Sequence, residues 1–445
     1  MGKRIAPRES ALRELMESRL DGQVKVITGI RRCGKSFLLR TLFRGRLLEE
    51  GVPGGNIVVV DLDDVSNKAL RDPILLDAHV RKLVKRRSKH PYFVFVDEIQ
   101  RCRKVLPDGV DLSRVAPGDR EDAYVTFYDV LNGWRNLPNV DVYVTGSNSK
   151  TLSSDIATQF RDRGRQIRLA PLRFSEYLAV SGLADKGEAL DRYLTWGGMP
   201  LAVFAAGDAA RAKYLQGLFS EVYLNDIRER HAIRDDAVLS ALLDVLSSSV
   251  GSLVNPHKIG DTMNSLLKLH PSDHTLKNYL DWLEDAFLFA KARRFDVKGR
   301  HYIDSPSKWY ATDLGLRNAR LNFRDTDRSH PLENAVFNEL VARGCNVDVG
   351  VVPIASRTDG RQSVRQHEID FVVNRGNDKI YIQCALRMDT EDKRDRELLP
   401  LCKSGDFFRK IIVTGGHDAP FADGDGILHV GVIPFLLDES ILAAP

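Results

Sequence analysis

The first third of the chain alternates apolar runs of strand length with stretches of helical spacing. Val24–Thr28, Ile57–Leu62, Phe93–Val96 and Val142–Thr145 each read as a strand buried in a parallel sheet, and Gln166–Leu169 is a further candidate. Between them, positions such as Phe37, Leu38, Leu39 and Leu42 recur at helical spacing. This alternation predicts an α/β fold, a parallel sheet with helices on both faces. Residues 103–123 are rich in Pro, Gly, Asp and Arg and read as a long surface loop. From about 174 to 237 the pattern is mainly helical, interrupted by Gly197-Gly198-Met199-Pro200. From about 238 to 316 a small helical unit leads into a basic hairpin. Beyond about 318 an amphipathic helix, Leu332–Arg343, precedes strand-like runs at Val347–Val352, Ile369–Val373, Ile380–Cys384 and Ile411–Val413.

Composition changes this picture little. The 445 residues predict two to four domains. Formal net charge is +4, which permits nucleic-acid binding and leaves the decision to local clusters. The cysteines, Cys33, Cys102, Cys345, Cys384 and Cys402, form no C-x-x-C pair, which argues against zinc. Their odd count and scatter suit a reducing cytoplasm better than a disulfide framework. The N-terminus lacks a signal-peptide core, and no run approaches the ~18 apolar residues of a membrane span.

The chemistry is concentrated at the strand ends. Gly29-Ile30-Arg31-Arg32-Cys33-Gly34-Lys35-Ser36, with Phe37 next, fits G-x-x-x-x-G-K-[ST], with a strand before it and a helix beginning near Lys35. Glycines let the backbone turn its N–H groups toward phosphate oxygens, and the helix adds its positive end. Lys35 is expected to reach the β- and γ-phosphates of ATP, and Ser36 to ligate Mg²⁺. Tyr92-Phe93-Val94-Phe95-Val96 ends in Asp97-Glu98. Downstream of a phosphate loop, Asp97 suits the Mg²⁺ shell and Glu98 the attacking water. Asp61, Asp63 and Asp64 read as an ordinary acidic loop. A third strand ends in Thr145-Gly146-Ser147-Asn148, where Asn148, with Ser147 second, could touch both γ-phosphate and water. Arg161, Arg163, Arg165 and Arg168 follow. Arg163, or Arg161, could reach the nucleotide of a neighbouring subunit and stabilise transition-state charge; a solvated or DNA-contacting edge is the alternative.

Together VITGIRRCGKS, FVFVDEIQ, DVYVTGSNSKTLSSDIATQFRDRGRQIRLAPLRFSEYL, YLTWGGMP, YLNDIRERHAI, KWYATDLGLRNA and LENAVFNELVARG resemble a family of bacterial and archaeal AAA-type ATPases. The resemblance covers nearly the whole chain, and the long middle string is its most specific part. It implies a P-loop AAA-type core (residues 1–178), a helical lid (179–237), a winged-helix unit (238–316) and a PD-(D/E)xK-nuclease-like domain (317–445). It also implies ATP and Mg²⁺ as ligands and, by analogy, a ring of six subunits. Family members usually show R-G-R-G where this chain has Arg161-Asp162-Arg163-Gly164, and Asp162 could hold one arginine in a local ion pair.

In the middle unit, Asn255-Pro256 suits a helix start and His270-Pro271-Ser272-Asp273 a break. A second helix, from about Thr275 to Phe287, places Leu276, Tyr279, Leu280, Leu283 and Phe287 on one face. Its outward face carries Lys277 but also Asp281, Glu284 and Asp285, which would repel phosphates. Residues 291–308 differ. Lys291, Arg293, Arg294, Lys298, Arg300 and Lys308 stand against Asp296 and Asp304, a local charge of +4. Arg293, Arg294, Lys298 and Arg300 are candidate phosphate contacts for DNA bound without sequence preference, and Arg81–Lys89 is a second basic segment. A packing module with a solvated basic edge is the alternative.

In the last domain Glu333 and Asp370, with Glu368 nearby, suit the first places of a nuclease site. At the third, Gln383 replaces a carboxylate and Ala385 a lysine, so nuclease activity is not expected. The expected function is therefore an oligomeric MgATP-hydrolysing motor on DNA, branched DNA included. The alternative is an ATP-dependent regulatory or toxin–antitoxin-like switch acting on a protein partner.

Overall fold

The computed structural model describes residues 5–85, 87–146, 164–233, 236–324, 327–358, 361–376 and 378–443. The chain divides into two compact units, residues 7–170 and residues 171–445 with the first six.

In the first unit all five expected strands form: β1 (Val24–Thr28), β2 (Ile57–Asp61), β3 (Tyr92–Asp97), β4 (Val140–Thr145) and β5 (Gly164–Arg168). They make one parallel sheet in the order β2-β3-β4-β1-β5. Strand parity decides what each face carries. Tyr92, Val94 and Val96 pack under the helices Pro73–Leu83 and Phe127–Arg135 together with Leu76, Val80, Leu131 and Trp134. Phe93, Phe95 and Tyr143 face the other way and meet Phe43, whose ring centroid lies 5.6 Å from that of Phe95 and 4.9 Å from that of Tyr143. Phe43 belongs to the helical run that begins at Lys35. The same parity carries Asp97 and Thr145 to the side of the sheet that holds this helix. In the expected loop, short turns at Leu112–Arg114 and Pro117–Asp119 lie between Val105 and Val125, which bridge.

In the second unit helices Phe174–Ser181, Lys186–Trp196, Asp208–Gly217 and Asp236–Ser248 precede the expected helix pair. Asn255 caps Pro256–Thr262, as anticipated from sequence, while Ser272, expected only as part of a break, caps Asp273–Asp285. The strands are β6 (Leu253–Val254), β7 (Phe289–Asp296), β8 (His301–Ala311), β9 (Asn346–Thr358), β10 (Arg361–Arg375), β11 (Asp378–Ala385), β12 (Arg409–Thr414), β13 (Phe421–Ala422) and β14 (Leu428–Gly431). All nine belong to one mixed sheet, ordered β13-β14-β12-β11-β10-β9-β7-β8-β6. The basic hairpin β7–β8 therefore continues the C-terminal sheet, through parallel pairing of Arg294–Asp296 with Val349–Val351. The boundary expected at 316/317 crosses a continuous sheet. The helix Ser329–Ala342 covers one face with Leu332, Val336 and Phe337, and the helix Glu391–Cys402 covers the other with Leu398 and Leu401.

The strings WGGMP and ATDLGLRNA meet each other in space. Buried Asp313 accepts hydrogen bonds from the Gly198 N–H at 2.7 Å and the Leu316 N–H at 2.9 Å. Asn318 Nδ2 donates to the carbonyls of Leu194 (2.9 Å) and Thr195 (2.8 Å). A Cβ at Gly198 would stand 2.1 Å from the Leu172 carbonyl oxygen, so no larger residue fits without displacing backbone. These strings thus build the unit's interior.

Candidate functional site

Gly29 and Gly34 adopt φ of 144° and 103°. A Cβ on Gly29 would meet the Leu169 carbonyl oxygen at 2.2 Å, so the loop can lie this close to the end of β5 only with glycine there. Gly34 faces open space and caps the helix, its carbonyl accepting from Leu38 N–H at 2.8 Å. Ile30 and Cys33 are buried, with Cys33 Sγ 3.4 Å from the Leu169 oxygen. Arg32 and Phe37 are exposed, while Arg31 and Ser36 are partly exposed. Buried Lys35 donates to the carbonyls of Gly29 (2.9 Å) and Ile30 (3.2 Å).

β4 lies between β1 and β3, so its last residue sits between the loop and the acid pair. Thr145 is fully buried. Its hydroxyl donates to Asp97 Oδ1 and accepts the Glu98 N–H at 3.1 Å. Glu98 takes a left-handed backbone conformation, φ 54°, at the turn after β3. Burial raises its carboxyl above the ordinary glutamate value, and Asp97 adds to the rise. Lys35, the Gln100 amide and Arg31 work in the opposite direction. Gln100 Nε2 donates to Glu98 Oε2. Arg40 Nη1 lies 2.6 Å from Asp61 Oδ2 and 3.8 Å from Asp97 Oδ2.

The sequence left Thr145, Gln100 and Arg40 without a role. A hydroxyl closing an apolar strand was the available signal for Thr145; the other two carried none. Asp61 belongs to this cluster rather than to a detached loop, whereas Asp64 caps the turn Val65–Arg71. Ser147, Asn148, Arg161 and Arg163 lie outside the described residues. Arg165 pairs with Asp21 (3.3 Å) and Gln23 (3.2 Å). It stands level with Lys25, three residues before Thr28 and the phosphate loop, toward the opposite end of the sheet.

The basic hairpin departs from its sequence reading. Arg294 is buried and donates to Gln366 Oε1 at 2.9 Å. Lys308 is buried among carboxylates: Glu333 at 2.9 Å, Glu368 at 2.5 Å and Asp370 at 3.2 Å. Neither adds to a solvated basic edge: Arg294 turns inward beside exposed Arg293, and the end of β8 from Ser307 to Ala311 is buried on both faces. Arg293 stays exposed, stacked 4.0 Å from the Tyr302 ring centroid. Lys298 is exposed with its ammonium 2.9 Å from the Pro353 oxygen, and Arg300 is exposed. In the second basic segment, Arg81 pairs with Asp77 at 2.8 Å.

Residues 21–178 match the family described as AAA domain. Residues 187–327 and 329–435 match domains of unknown function, DUF8612 and DUF4143. An uncharacterized protein of Haemophilus influenzae is 30% identical over 441 residues, spanning 98% of this chain and 100% of its own length. The chain belongs to the same AAA-domain family as that protein. An uncharacterized protein of Methanocaldococcus jannaschii is 24% identical, over 88% of this chain and 81% of its own. Among solved structures, the Aeropyrum pernix ORC1 protein in complex with DNA aligns at TM-score 0.28 and 16% identity, covering 72% of this chain and 93% of that one. The replication initiator DnaA bound to AMPPCP and single-stranded DNA aligns at 0.30 and 13%, covering 64% and 89%. The match over residues 21–178 makes the core a P-loop AAA domain, and no helix among the described residues is long and apolar enough to cross a membrane.

Proposed function

We propose that this AAA-family chain binds MgATP at Gly29–Phe37 and hydrolyses it with Asp97 and Glu98. The observation that carries the reading is the convergence of Lys35, Asp97, Glu98 and Thr145 at one end of a parallel sheet. Lys35 rests on two neutral carbonyls, which an anionic phosphate would out-compete for the ammonium. The residues fit the cofactor: the glycine loop leaves backbone donors free of Cβ crowding, and Ser36 and Asp97 are oxygen donors suited to Mg²⁺. Bound there, Mg²⁺ supplies charge neutralisation for the β- and γ-phosphates. Glu98 takes a proton from water as the water oxygen attacks the γ-phosphorus, and the bond to the β-phosphate oxygen breaks to release ADP. Asn148 is assigned to position that water, and Arg163 or Arg161 to act on a neighbouring subunit's nucleotide in a six-membered ring, by analogy with AAA-type proteins. Phosphate release measured on the wild type and on Glu98→Gln tests the chemistry. Equal rates would overturn it.

We further propose that the ring acts on DNA through backbone contacts, with branched DNA among its substrates and the β7–β8 hairpin as a winged-helix-type wing. Exposed Arg293, Lys298 and Arg300 support this. The withdrawal of Arg294 and Lys308 from solvent favours the second reading, an ATP-dependent switch acting on a protein partner. Binding of linear, forked and four-way DNA at two salt concentrations separates them. Arg293, Lys298 and Arg300 changed to Glu should weaken binding about tenfold at low salt if the wing holds phosphates. No binding by the wild type to any of these DNAs leaves the switch.

A further inference from the structure

The acids at the end of β2 are each used differently. Asp64 caps the turn Val65–Arg71, and Asp63 pairs with Arg101 at 3.0 Å. Asp61, the last residue of β2, stands in register with Asp97, the last residue of β3. Two carboxylates are thus held side by side at neighbouring strand ends, which like charge opposes unless a cation stands close. That cation is Arg40. It follows Ser36 by four residues in the helical run that begins at Lys35, so the two side chains share a face of the helix.

The bridge is lopsided. One guanidinium nitrogen, Nη1, donates to Asp61 Oδ2 at 2.6 Å and stays 3.8 Å from Asp97 Oδ2, beyond hydrogen-bonding reach. Asp61 is itself fixed: its Oδ1 accepts the Asp63 N–H at 2.9 Å, and its carbonyl accepts from Asn67 Nδ2 at 2.9 Å. On Asp97, Oδ1 is taken by the Thr145 hydroxyl. Oδ2 accepts no hydrogen bond from any described residue, and it is the oxygen left open on the acid proposed to hold Mg²⁺. Lys35 and Arg31 are other cations whose charge reaches the acid pair, at Glu98.

The Arg40 side chain is 45% exposed and that of Asp61 23%. An ion pair this open to water contributes little to folding. Its consequence lies in where it keeps the guanidinium. With Asp61 neutral, Asp97 Oδ2 becomes the nearest anionic partner, and a small rotation of Arg40 closes a charge-assisted bond on it.

We infer that Asp61 is a positioning residue for the metal: it draws Arg40 aside and so keeps Asp97 Oδ2 available to Mg²⁺. The inference rests on the ATPase reading and adds to it a reason why Asp61 stands beside Asp97.

The test is a cycle of four forms of the full chain: wild type, Asp61→Asn, Arg40→Gln and the two substitutions together. Electron paramagnetic resonance reads Mn²⁺ binding with a non-hydrolysable ATP analogue at saturation, and calorimetry reads analogue affinity in chelator. Asp61→Asn should weaken Mn²⁺ binding roughly tenfold, as Arg40 closes on Asp97. Arg40→Gln alone should change it by less than about threefold, because Asp61 already neutralises Arg40. Adding Arg40→Gln to Asp61→Asn should bring Mn²⁺ binding back to within about threefold of wild type. Analogue affinity in chelator should be alike in all four, which separates positioning from a disturbed fold. Equal effects of Arg40→Gln in both backgrounds would overturn the inference, since Asp61 would then act on the metal by its own charge. So would unweakened Mn²⁺ binding in Asp61→Asn, or a loss of analogue affinity in chelator that Arg40→Gln does not recover. A wild type that binds the analogue neither with Mn²⁺ nor in chelator overturns the ATPase reading and this inference with it. A wild type that binds it, in a cycle without coupling, overturns this inference alone.

Discussion

Each unit places a buried lysine beside acidic strand ends, Lys35 in the first and Lys308 in the second, and these two are held in opposite ways. Lys35 gives its protons to two backbone carbonyls, with the Glu98 carboxyl near enough to be biased by its charge. Lys308 gives its protons to three carboxylates. A neutral carbonyl is a weak competitor for an ammonium, so an incoming phosphate can take Lys35 over with little loss. No incoming anion can take Lys308 without leaving buried carboxylates uncompensated. The first arrangement is open to a ligand and the second is closed by its own side chain. A lysine among acids is therefore not in itself a site; what else holds the ammonium decides whether chemistry can occur there.

The comparison breaks first at the acid that should act. Glu98→Gln should retain ATP binding while phosphate release falls by about 10²- to 10⁴-fold, the range for removal of a general base. Unchanged turnover would place the chemistry elsewhere. Lys35→Ala comes next: ATP affinity should fall roughly 10- to 100-fold, as expected for losing charge-assisted bonds to phosphate. Nucleotide titration by calorimetry measures this, and retained affinity would mean that Lys35 is as unavailable as Lys308.

Thr145→Val sharpens the same point. It leaves Asp97 and the Glu98 N–H without their shared hydroxyl, at a cost of about 1–2 kcal/mol in their positioning. Turnover should fall about tenfold with ATP affinity little changed, and Thr145→Ser should restore most of it. A loss confined to affinity would show that Thr145 serves binding alone.

The smallest effect concerns pH. A base acts only when ionised, and burial raises the Glu98 carboxyl, so the acid limb of the rate profile should lie above the ordinary glutamate value. Gln100 stabilises the ionised form through its hydrogen bond, so Gln100→Leu should move that limb to higher pH and leave the plateau within a few fold. A limb that stays in place would show that the Gln100 contact does not tune the base.

How much was legible follows from the range of the forces involved. The phosphate loop, the strand ahead of it and the acid pair at the end of β3 are local: contiguous residues determine the turn, the run of buried positions and the carboxylates that end it. The helix cap at Asn255 is local in the same sense. Strand order is not local. That β4 lies between β1 and β3, bringing Thr145 onto Asp97 across 48 positions of chain, is decided by how the whole sheet packs. The basic hairpin shows the limit most clearly. By sequence Lys308 is one more cation in a row of six, but it lies where β8 is buried on both faces, and residues 25 to 62 positions away supply the carboxylates that hold it. Sequence by itself determined which groups carry charge and where short-range geometry puts them. Only the tertiary structure decided which charges face solvent and which neutralise one another, because desolvation and Coulomb attraction act through space and take no account of distance along the chain.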